Sequence, residues 1–104
     1  MITLNKLSQK CLENAYASER VTDQSGPRPW LLQAQRCLHD TFGKTVHRDD
    51  RLPQHSEYAV GAAETIAWLV AFMRRIGCED VEQAIRDAID YRTMRPDYPP
   101  KRMQ

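Results

Sequence analysis

Glu64 is the residue whose surroundings demand most of it. It stands in Gly61-Ala62-Ala63-Glu64-Thr65-Ile66-Ala67-Trp68, at the edge of the longest apolar run, Ile66 to Met73. A carboxylate among small and apolar groups needs a cation, a hydrogen-bond donor or a metal ion. Glu57 lies two helical turns earlier on the same face, so Glu57 and Glu64 form a candidate metal or substrate site. The alternative is structural: Glu64 paired with an arginine such as Arg36 or Arg86, or left at a solvated edge of the fold.

Other reactive residues are scattered. His39, His47 and His55 are evenly spaced, but at a distance that suits no metal motif, since ligands on one helix stand about three or four apart. His39 and Asp40 are neighbours, and adjacent helical residues point apart, which disfavours an acid–base pair. Cys11, Cys37 and Cys78 form no CxxC pair and no zinc cluster, and are expected to be reduced thiols on helix faces. Arg86, Arg92 and Arg95, followed by Lys101 and Arg102, are a candidate phosphate-binding set; a solvated helix face is the competing reading. Trp30 and Trp68 are expected in a core or an interface, with base stacking as the alternative. There is no Gly-rich phosphate loop and no nucleophile elbow.

The elements that must position these residues are helical. The 104 residues suit one domain, and 41% apolar with 28% charged residues is globular composition. A net charge of +1 gives no electrostatic case for nucleic acid or for an anionic membrane. Ile66 to Met73 is far short of the ~20 residues that span a bilayer. Met1 to Lys6 lacks the basic start and apolar stretch of a signal peptide, so a soluble, cytoplasmic chain is expected.

Four helices are predicted, over about 3–20, 29–43, 56–76 and 80–94, with 95–104 as a tail. In the first, Leu4, Leu7, Cys11 and Ala15 recur at helical spacing, with Leu12 beside them. In the second, Pro29 suits the opening turn, Leu31, Ala34, Leu38 and Phe42 form the stripe, and Gly43 is a natural stop. Lys44 to His55 reads as a loop, with a short helical turn at Asp49–Leu52 as an alternative. The third helix has Glu57 in its first turn and Arg74-Arg75 in its last, and is apolar all round in its middle. That excess predicts oligomerisation, a homodimer or higher, through Trp68, Leu69, Phe72 and Met73. The fourth opens on Asp80-Val81-Glu82-Gln83, a capping-box-like start. The fold class is all-α, a four-helix bundle-like domain.

The stretch from Gly61 to Pro99, GAAETIAWLVAFMRRIGCEDVEQAIRDAIDYRTMRPDYP, resembles the all-α nucleotide pyrophosphohydrolases of the MazG-like kind. Leu4 to Cys11 also resembles the first helix of small members. The resemblance implies a site in which two helices present ExxE and ExxD carboxylates to Mg²⁺, which activates water against a nucleotide's phosphates. On that pattern Glu64 takes the place of the last Asp, while Gly61 stands where its partner Glu would be. Leu31 to Phe42 holds no Glu, and Asp40 is its one acid; Gln33, Gln35, Arg36 and His39 occupy the region of the ExxE. Arg95-Pro96 fits the pattern, Arg86 stands in for a phosphate-facing base, and Tyr91-Arg92 replaces the family's Asn.

Two functions follow as expectations. One is a MazG-like scaffold that binds a nucleotide or phosphate ligand, its metal-dependent hydrolysis weak or lost and its Mg²⁺ ligand set incomplete. The other is a non-catalytic helical module, an inhibitor or adaptor, that binds a partner protein.

Overall fold

Thr3 opens the first helix, α1 (Leu4–Ala17), by accepting the Lys6 N–H on its hydroxyl at 3.1 Å in the computed structural model, which describes residues 2–94. Three more helices follow: α2 (Pro27–Thr41), α3 (Glu57–Arg75) and α4 (Val81–Met94). The architecture is all-helical, and the described residues contain no strand, only an isolated antiparallel bridge between Arg48 and Ser56. Arg95 and the tail to 104 lie outside the described residues. No described helix is long and apolar enough to cross a membrane.

Each boundary has a local cause. α1 stops short of Arg20 because the Ser18 hydroxyl turns back onto the Ala15 carbonyl at 2.6 Å and Glu19 takes the left-handed conformation, at φ 64°. α2 starts at Pro27 rather than Pro29, with Gly26 as its N-cap. Its end does not use Gly43 as a left-handed cap. Instead three tight turns close it, Phe42 N–H to His39, Gly43 N–H to Asp40 and Lys44 N–H to Thr41. Ser56 caps α3 by accepting the Ala59 N–H at 3.1 Å. At the other end Gly77, at φ 97°, lets the Cys78 N–H reach the Met73 carbonyl and its own N–H reach Arg74, the Schellman closure. Asp80 caps α4 by accepting the Gln83 N–H at 3.1 Å.

α3 is the central element, with α1 and α2 packed on it and α4 resting on α1 and α3. The core gathers Ala15, Val21, Trp30 and Ala71, with Cys11, Leu12, Tyr16, Trp68 and Phe72 against them. Trp30 is 0% exposed and meets Tyr16 and Trp68 edge to face, with ring centroids 5.6 and 6.2 Å apart. Aromatic rings prefer that geometry because the positive edge of one meets the negative face of the other.

The apolar stripes mark the packing faces only in part: Cys11 and Ala15 of α1 and Ala34 of α2 do pack inward. α1 buries Ser8 and Ala15, while Leu7 stays exposed. α2 buries Trp30, Gln33 and Ala34, which leaves Leu31, Leu38 and Phe42 on the outside, Phe42 at 78% exposure. Two facts rotate α2 this way. Trp30 has the largest apolar surface to hide. Thr41 also sits directly over Gly61 of α3, where an added Cβ would collide with the threonine side chain. Around α3, Trp68 and Phe72 are taken up by the chain's own core, and Met73 is half-buried. Leu69 and Ile66 remain outside.

Candidate functional site

The 44–56 connection is built rather than slack. Asp49, buried apart from 8% of its surface, accepts the N–H groups of Arg51 and Leu52 on Oδ2, each at 2.9 Å. This is the side-chain-closed turn that aspartate makes readily. Asp49 N–H bonds the His55 carbonyl and Glu57 N–H bonds the His47 carbonyl, which draws the loop's two arms together. The helical-turn alternative for Asp49–Leu52 is thus replaced by a turn pinned on the Asp49 carboxylate.

That turn aims Arg51 at α3. Its Nη2 donates to Glu64 Oε2 at 3.1 Å, and its Nε lies 3.7 Å from Asp49 Oδ2. Beside the pair runs an open groove of roughly 680 Å³. Ala59, Ala63 and Ala67, one helical turn apart on α3, line it together with Leu52, His55, Arg51 and Glu64. It is therefore a largely apolar trough whose polar lining is one guanidinium, one carboxylate and the His55 imidazole. Both charged side chains remain well solvated, at 67% and 48% exposure. A pair so exposed adds little to stability, about 0–1 kcal/mol. Glu64's partner is thus Arg51, not the Arg36 or Arg86 considered from sequence.

The other half of the candidate metal pair is used elsewhere. Glu57 Oε1 accepts from both the N–H and the hydroxyl of Thr45, at 2.9 and 3.0 Å, tying the loop to the start of α3. Glu57 does not line the groove beside Glu64. Cys37 of α2 feels the charge of Glu64. Burial raises its thiol pKa first, followed by the negative charges of Glu64 and Asp40, against the opposing pull of Arg20 and Arg36. Burial also pushes the Cys11 thiol up. Neither environment makes a ready thiolate nucleophile. The three cysteines are free and half-buried; Cys78 lies in the α3–α4 turn rather than on a helix face.

The Mg²⁺ ligand set implied by the resemblance does not fit the residues present. Gly61 lacks the carboxylate, and Thr41 leaves no room for one. Glu57, turned to Thr45, lines no common groove with Glu64. Among the described residues no group of three or more His, Cys, Asp or Glu side chains is placed to hold a metal ion.

The candidate phosphate residues lie apart from Glu64. Arg86 is paired with Glu82 of its own helix at 3.0 Å and lines a separate depression with Gln83, Ile89 and Asp90. Arg92 is exposed on α4, and Arg95 is outside the described residues. Trp30, wholly buried, offers no face for base stacking. The cation that sequence reasoning passed over is Arg51. Its signal lies in Asp49-Asp50-Arg51, where an aspartate two residues upstream can close a turn on its own carboxylate and so orient the arginine.

Comparison of the chain with family models, with curated proteins and with solved structures gives no match.

Proposed function

We propose that the chain is a MazG-like helical scaffold that binds a nucleotide or related phosphate ligand in the groove between α3 and the 49–55 turn, with metal-dependent pyrophosphohydrolysis weak or lost. The observation that carries this reading is Arg51, held by its own backbone over an apolar trough. A guanidinium presents several N–H donors to a phosphate, and the alanine floor accepts the flat face of a base. Loss of hydrolysis is supported by the close approach of Thr41 to Gly61, which occupies the space of a second carboxylate.

The test pairs two measurements. Pyrophosphate release from ribo- and deoxynucleoside triphosphates, with Mg²⁺ or Mn²⁺, is expected to be absent or slight. Nucleoside diphosphates are expected to raise the melting temperature of the native chain in the presence of EDTA, and not that of Arg51→Gln. Brisk release that disappears in Glu64→Ala would restore a full enzyme. No stabilisation by any nucleotide would remove the ligand reading.

A second reading rests on a different surface. Leu31, Leu38 and Phe42 align along the outer face of α2, and large exposed apolar residues in one patch mark interaction sites. They favour a module that binds a partner protein. Oligomerisation through α3 would draw on Leu69 and Ile66, two apolar residues of that helix the core leaves outside.

A further inference from the structure

We infer that the groove selects a guanine nucleotide, with the Glu64 carboxylate reading the base and Arg51 holding the phosphate; this rests on the phosphate-ligand reading above. Arg51 and Glu64 share a single hydrogen bond, Nη2 to Oε2. Oε1 accepts none among the described residues. Both groups are solvent-exposed, so exchanging each other for ligand groups costs little. A carboxylate is an acceptor only, with two parallel oxygens. It is matched by a base edge that offers two adjacent N–H donors. Guanine does so, through N1–H and its exocyclic amine. Adenine and cytosine place a ring acceptor beside their amine, and that acceptor would face the second carboxylate oxygen. Uracil has one N–H flanked by two carbonyls.

The floor suits the same ligand. Ala59, Ala63 and Ala67 present three methyl groups in a row running past Glu64, with Leu52 on the loop side. A planar ring laid on those methyls brings its edge to Glu64. Release of Arg51 from Glu64 turns its Nη2 to the phosphate, while Asp49 continues to hold the Arg51 backbone N–H and stays 3.7 Å from its Nε.

The experiment is calorimetric titration of the native chain, Glu64→Gln and Arg51→Gln with GDP, ADP, CDP, UDP and inorganic pyrophosphate, all in EDTA. Native protein should bind GDP at least about tenfold more tightly than the other three, the discrimination typical of a bidentate base contact. Glu64→Gln replaces one acceptor oxygen by a donor amide. It should lose the GDP preference and favour ADP and CDP, whose edges pair a donor with an acceptor, while pyrophosphate binds as well or better. A role for Glu64 confined to structure would not redirect base preference. Equal binding of the four nucleotides, or a GDP preference that survives in Glu64→Gln, overturns the inference and leaves the phosphate reading standing. If neither pyrophosphate nor any nucleotide binds, the phosphate reading falls and this inference with it. If Arg51→Gln leaves pyrophosphate and GDP affinity unchanged, Arg51 is not the phosphate group.

Discussion

Thr41 of α2 stands directly over Gly61 of α3, so close that the glycine's missing side chain is what allows the two helices to meet. Thr41 is fixed there, its hydroxyl donating to the Cys37 carbonyl at 2.7 Å. Gly61→Ala is therefore expected to destabilise the chain by about 1–3 kcal/mol, the usual cost of overpacking. Urea unfolding measures it. Thr41→Ala removes the colliding atoms, so the double variant should recover part of the loss, a coupling that independent sites lack.

Trp30 gives a contrast in cost. Its Nε1 is buried without a hydrogen-bond partner among the described residues, so the indole contributes by packing. Trp30→Phe keeps a ring against Tyr16 and Trp68 and leaves no polar group newly orphaned. Trp30→Ala opens the core and should cost about 3–5 kcal/mol. Phe is expected to retain most of that stability in chemical denaturation. Equal losses for Phe and Ala would show that a phenyl ring does not replace the indole's packing.

Glu19 is held in a costly conformation. It is the one described residue other than glycine with positive φ, at 64°. Glu19→Gly is expected to stabilise the chain by up to about 1 kcal/mol, since the left-handed conformation costs a Cβ-bearing residue about that much. A lower melting temperature for the variant would contradict this account.

Asp80 makes stability depend on pH. The Asn5 side-chain amide donates to its carboxylate, as does the Gln83 N–H, and these bonds hold its pKa below the ordinary aspartate value. A folded-state pKa lowered in this way contributes stability that is present above the unfolded value, about 3.9, and lost as pH falls through the folded value. The gap in urea midpoint between the native chain and Asp80→Asn should be widest near neutrality and close as the solution is acidified below that range.

The fold was largely legible in the chain because capping residues announce themselves. Ser56, Gly77 and Asp80 bound their helices as their chemistry demands. The burial faces were less legible, above all on α2. Burial of the Trp30 indole and the seating of Thr41 against Gly61 turn that face inward, Gln33 with it, and leave Leu31 and Phe42 outside, against their hydrophobicity. Glu64 was recognisable as a carboxylate in want of a partner. Which arginine would answer it was not, because Arg51 reaches it through a turn set by Asp49, and loop geometry leaves no periodic mark on a sequence.

Asn5 donates to the Asp80 carboxylate and accepts the Glu82 N–H on its own side-chain oxygen, while Gln9 accepts from Arg74. Besides packing on α3, the first helix is thus moored to residues 65 to 77 positions further along the chain. As the chain emerges, α1 can pack on α3 before its Asn5 end gains its bonds to Asp80 and Glu82. Such distant closures slow a small helical protein relative to one built from neighbours in sequence. A nascent chain halted before Asp80 should therefore keep α1 packed on α3 while its Asn5 end stays unanchored.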